Sequence, residues 1–66
     1  MTDKTKAVLL VFDYNEGILT AYQLIDQVST IFNVCDEGAA DIICGFHAYK
    51  GTRKDLWSEY KNNNNN

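Results

Sequence analysis

An unbroken apolar run, Ala7-Val-Leu-Leu-Val-Phe12, stands near the start of a chain of only 66 residues. A segment written this way reads as a strand that expects cover on both of its faces. A chain of this size forms one small domain that buries only about 60% of its unfolded surface. It hardly supplies that cover from its own residues. The run therefore predicts completion by a second copy of the chain or by a different protein.

Charge narrows the range of partners. Six basic and nine acidic residues leave a net charge of −3, which disfavours nucleic acid as a generic target. The balance is uneven along the chain. Residues 1–48 hold Lys4 and Lys6 against seven acids, a net of −5, whereas residues 49–66 hold four cations against Asp55 and Glu59, a net of +2. Such a tilt orients docking on a charged partner or serves solvation alone. No basic segment followed by an apolar stretch marks a signal peptide, and no apolar stretch approaches the roughly 18 residues of a membrane span. The expectation is a cytoplasmic protein with its two cysteines, Cys35 and Cys44, reduced.

The pattern along the chain reads as strand, helix, strand, short helix and tail. The first strand runs over Ala7–Phe12 and ends in the turn residues Asp13-Tyr-Asn-Glu-Gly17. Thr20 and Gln23 have the spacing of a capping box, with Leu19 and Leu24 placed as a hydrophobic staple. Ala21, Leu24, Ile25, Val28, Ile31 and Phe32 then recur at helical spacing, so a helix is expected to end near Asn33. Residues Ala40–Tyr49 admit strand or helix. Ile42, Ile43, Phe46 and Tyr49 are β-formers and Gly45 weakens a helix, which favours strand. Two such strands around one helix imply a right-handed parallel crossover. Thr52 opens a short helix that places Leu56, Trp57 and Tyr60 against the sheet, and a tail from Lys61 through Asn66 is expected to be disordered.

The chemical motifs are sparse. Cys44 and His47, with Cys35 and Asp36 upstream, offer mixed zinc ligands or a thiol with its base. On a strand, however, positions three apart face opposite ways, and the paired C-x2-C spacing of zinc sites is missing. The acids Asp36-Glu37, or Asp13 with Glu16, need a cleft that shifts their pKa before they do acid–base work. Gly17, Gly45 and Gly51 form no phosphate-binding signature. No catalytic, cofactor or metal site is expected, and the protein is not read as an enzyme. Val8, Leu10 and Phe12 of the apolar run are the candidate partner-binding residues. Trp57 and Tyr60 join them as aromatic anchors, or else close the core.

Residues 7–46 resemble the strand–helix–strand stretch in the C-terminal subdomain of FtsZ, the tubulin-like bacterial division GTPase. The words that carry the resemblance are Val8-Leu-Leu-Val-Phe12, the helix Ile18 to Phe32, and Asp36-Glu-Gly-Ala-Ala-Asp-Ile-Ile-Cys-Gly45. The GTP-binding half has no counterpart, so no catalytic residue carries over. The resemblance implies a fragment that imitates a polymer-forming subdomain and interferes with assembly of division filaments. Asp13-x-x-x-Gly17-Ile-Leu19 is also similar to the ligand-binding turn of ACT regulatory domains, which implies a module that senses small amino acids.

Taken together, the sequence predicts a small α+β protein: a βαβ unit with a short C-terminal helix, one domain over residues 1–60, and a disordered asparagine tail over 61–66. It is expected to act without catalysis, as a homo-oligomer or in a heteromeric inhibitory complex. The classes in view are interference with cell division, a phage-type inhibitor of a bacterial defence or metabolic enzyme such as an anti-CRISPR-like protein, and an ACT-like sensor.

Overall fold

A computed structural model describes residues 1–64, and residues 65–66 lie outside it. Four helices follow one another: α1 over Asp3–Asn15, α2 over Ala21–Phe32, α3 over Asp36–Gly45 and α4 over Arg53–Asn64. Among the described residues there is no strand. The expected α+β unit with its parallel crossover is therefore corrected to an all-α bundle.

The apolar run is helical because its flanks are. Thr2 holds extended backbone and its hydroxyl accepts the Thr5 amide, while Asp3 places a carboxylate in the first turn. Both features satisfy or complement free amides at a helix start. At about 100° per residue, Ala7 and Val11 turn fully inward, with Leu10 and Tyr14 half-buried beside them. Val8, Leu10 and Phe12 consequently do not share a face, as alternation along a strand would require. The apolar residues between the inward positions are left to the other sides of the helix.

α1 closes on a left-handed turn. Gly17 has φ of 81°, its amide donates to the Tyr14 carbonyl at 3.1 Å, and the Ile18 amide reaches the Asp13 carbonyl at 2.9 Å. That pair of bonds is a Schellman closure, which favours glycine at the left-handed position.

α2 has the predicted start. The Thr20 hydroxyl accepts the Gln23 amide, and the Gln23 side chain accepts the Thr20 amide in return. Asn33 ends the helix in the left-handed region at φ of 55°, a conformation asparagine tolerates better than most side chains. Leu24, Ile25 and Val28 are fully buried, and α2 packs against each of the other three helices. It is the hub of the core.

The second expected strand is also helical. Asp36 and Glu37 stand in the first turn of α3, where carboxylates favour the helix amides, and Ala39, Ala40 and Ile43 face the core. Gly45 weakens nothing, because it is the last helical residue. α4 begins at the Thr52 hydroxyl, which accepts the Asp55 amide at 3.1 Å. Its Leu56 is fully buried, and the helix packs against α2 and α3 where a sheet was expected. α4 continues through Lys61 to Asn64, so the predicted tail is helical as far as the described residues extend.

No helix of the described residues is long and apolar enough to cross a membrane.

Candidate functional site

Helix α1 leaves one of its sides uncovered. Lys4, Val8 and Phe12 recur four residues apart, with Asn15 three further on, so they form one stripe along the helix. Facing this stripe are the last residue of α3 and the segment after it, where Gly45, Phe46, His47, Ala48 and Lys50 complete the walls of a groove of about 610 Å³. Asn15 ties the two walls together, its amide donating to the Ala48 carbonyl at 3.0 Å. The Tyr49 hydroxyl, bonded to the Thr52 carbonyl at 2.8 Å, fixes the same segment from its other end. The groove is thus set by hydrogen bonds at two points, rather than left to a loose loop.

Its floor is apolar and open to water. Phe12 is 51% exposed, and Val8 and Phe46 join it in the lining. Exposed apolar groups that converge on one concave surface mark interaction sites more reliably than the same groups scattered singly. Lys4 and Lys50 bring cations to the lining, and among the described residues no carboxylate stands in it. Asp3 and Asp13 of α1, and Glu16 just after it, all lie outside it.

The predicted partner residues divide. Val8 and Phe12 meet in the groove. Leu10 is half-buried and packs on the core instead. Trp57 and Tyr60, on α4, take no part in the lining. They form an aromatic ladder, with Trp57 stacked on Tyr60 at 4.9 Å between ring centres and Tyr60 stacked on Tyr22 at 5.4 Å. Both lie half-buried against the core. Sequence reasoning missed Lys4, Asn15, Phe46, His47 and Lys50. For Lys4 and Asn15 the signal is their spacing of four residues from Val8 and three from Phe12 respectively, which appears once α1 is read as a helix.

A second hollow of about 780 Å³ lies where the α1–α2 turn meets α4, lined by Tyr14, Asn15, Thr20, Tyr49, Asp55 and Glu59 among others. It is bridged internally, the Tyr14 hydroxyl donating to the Glu59 carboxylate. On the far side of the bundle the Tyr60 hydroxyl donates to Asp36 at 2.5 Å, tying α4 to the start of α3.

These two bonds give the fold an alkaline limit. The bond to Asp36, then burial, pushes the Tyr60 phenol from 10 up to about 12. Burial, then the bond to Glu59, raises Tyr14 further still. A phenol whose pKa is raised by folding contributes its stability in full below its unfolded value and loses it as pH climbs through the folded one. The melting temperature is therefore expected to fall between pH 10 and 12. Thermal melts of Tyr60→Phe check this, because that variant should lose part of the dependence; an identical slope in both proteins contradicts the assignment.

The thiol chemistry weighed in the sequence has little geometry behind it. Burial pushes the Cys44 thiol up, which lowers its thiolate fraction and nucleophilicity, and His47 lies beyond the end of α3 and is exposed. Cys35 is free and exposed at the start of the same helix. Among the described residues no three His, Cys, Asp or Glu side chains gather as metal ligands.

No family model matches the chain, and neither a curated protein nor a solved structure does.

Proposed function

We propose that this protein acts by binding another protein, without catalysis, and that the groove between α1 and residues 45–50 receives the partner. The observation that carries this reading is Phe12. A phenylalanine in the lining of a concave, hydrogen-bond-braced surface is half open to water, although ten other apolar residues among those described are packed fully into the core. Burying such a side chain against a partner contributes about 1.5 to 3 kcal/mol, and aromatic anchors of this kind dominate many interfaces. The larger hollow is less suited to this role, because polar and acidic side chains line much of it and one hydrogen bond already spans it.

A small binding module of this sort fits an inhibitor that occupies a surface of a larger protein. The test is selection from a random-peptide display library on the immobilised protein, followed by affinity measurements on Phe12→Gln and Ile18→Gln. Ile18 is more exposed than Phe12 but lies outside the groove. Selected peptides are expected to bind Phe12→Gln at least about thirtyfold more weakly, the loss typical of a hot-spot residue, and to bind Ile18→Gln as they bind the parent. Peptides indifferent to Phe12→Gln, or no enrichment at all, contradict the proposal. Polymerised FtsZ is a defined protein to test separately, by co-sedimentation and light scattering. Co-sedimentation that Phe12→Gln abolishes would identify it as the target, and unchanged light scattering at stoichiometric excess would dismiss it.

A further inference from the structure

We infer that the occupant of the groove is an acidic segment of a different protein, one whose apolar side chains are bordered by Asp or Glu, and not a second copy of this chain. The inference rests on the binding role proposed for the groove and adds the chemistry of what binds there.

Charge carries it. The chain as a whole is acidic, at −3, yet among the described residues the only charged side chains that line the groove are Lys4 and Lys50. Lys4 stands on α1 one turn before Val8, and Lys50 stands at the end of the opposite wall. The His47 imidazole adds a further polar group to that wall, and the Asn15 amide is already committed to Ala48. A ligand that places apolar side chains on Val8, Phe12 and Phe46 therefore meets an ammonium group from each wall. Apolar contact alone does not discriminate among ligands; the two lysines favour one that carries carboxylates beside its apolar residues.

The same two lysines argue against self-pairing. A closed dimer uses the same patch on both subunits, so two grooves brought face to face would set the lysines of one copy toward those of the other. Like charges so juxtaposed oppose the contact. A head-to-tail contact, the groove of one copy on an acidic surface of the next, builds a ring where the rotation closes and an open chain of copies where it does not. A foreign acidic segment satisfies the groove without either consequence.

The peptides selected on the parent protein decide the matter, together with the double variant Lys4→Glu/Lys50→Glu. Both lysines are exposed, so the variant is expected to keep its far-UV circular dichroism and melting temperature. Enriched peptides should carry Asp or Glu beside aromatic or aliphatic residues, and their affinity should fall with added salt. They should bind the double variant at least about tenfold more weakly, as two modest attractions become repulsions. Twins with Lys in place of Asp and Glu should recover affinity for that variant. If the enriched peptides are neutral or basic and still lose affinity on Phe12→Gln, the groove binds but the acidic occupant is wrong. If Phe12→Gln changes nothing, the underlying binding site is wrong. Sedimentation of the parent alone should show a monomer; a dimer that Phe12→Gln dissociates would overturn the inference in favour of a second copy.

Discussion

Val11→Asp is expected to unfold this protein at room temperature, whereas Leu9→Asp, two residues away, leaves it folded. Val11 is fully buried where α1 meets the core, and Leu9 is 46% exposed. A helix separates the two positions by about 200°. A strand would put them on the same face. An unpaired carboxylate forced into the core costs several kcal/mol, against a total stability of about 3 to 10 kcal/mol for a chain of this length. The same carboxylate at Leu9 stays in water and costs roughly 1 kcal/mol, mostly in helix propensity and partial packing. Far-UV circular dichroism and urea titration of the two variants give the answer. Equal damage from both substitutions would mean that the run is not a helix with one inward side.

The second large effect is expected at Leu24. This residue is fully buried on α2, the helix that packs against all three others. Leu24→Ala removes methyl groups that no single neighbour can replace, and such truncations cost about 2 to 5 kcal/mol, depending on how far the site collapses. In a domain this small the loss consumes much of the available stability. The urea midpoint should drop sharply, and a substantial unfolded fraction should appear without denaturant. Gln27→Ala, on the exposed side of the same helix, should shift the midpoint little. A Leu24→Ala loss below about 1 kcal/mol would show that the core does not centre on α2.

α2 and the start of α4 were legible because their signals are local. The Thr20–Gln23 capping box, the inward positions Ala21, Leu24, Ile25 and Val28, and the Thr52 cap all appear in the structure in the roles their spacing assigns them. α1 was not legible for a physical reason. A run with apolar residues on every side of the helix has no visible period, and Val8, Val11 and Phe12 carry β-propensity that packing overrides. The Thr2 cap and Asp3 were the available counter-signals. In α3 the β-propensity of Ile42 and Ile43 masks the signal of the acidic first turn, and Gly45, terminal in the helix, has the sequence appearance of an interior residue.

The candidate site divides along the same line. Val8 and Phe12 are singled out by their chemistry and both line the groove, although on a helix where a strand was expected. Leu10 followed from strand alternation and turns inward in a helix. The opposite wall, Phe46 to Lys50, depends on the Asn15–Ala48 hydrogen bond, which joins positions 33 apart and has no local trace in the sequence.

The claim beneath all of this is that α1 keeps one side in the core and presents the other, unpaired, to solvent. A soluble paramagnetic probe added to the protein during NMR tests it in a single titration. Signals from the Leu9 and Phe12 side chains should broaden while those of Ala7 and Val11 persist. Equal protection of Leu9 and Val11 would contradict it, because that result describes a strand, or a helix whose outer side is already covered.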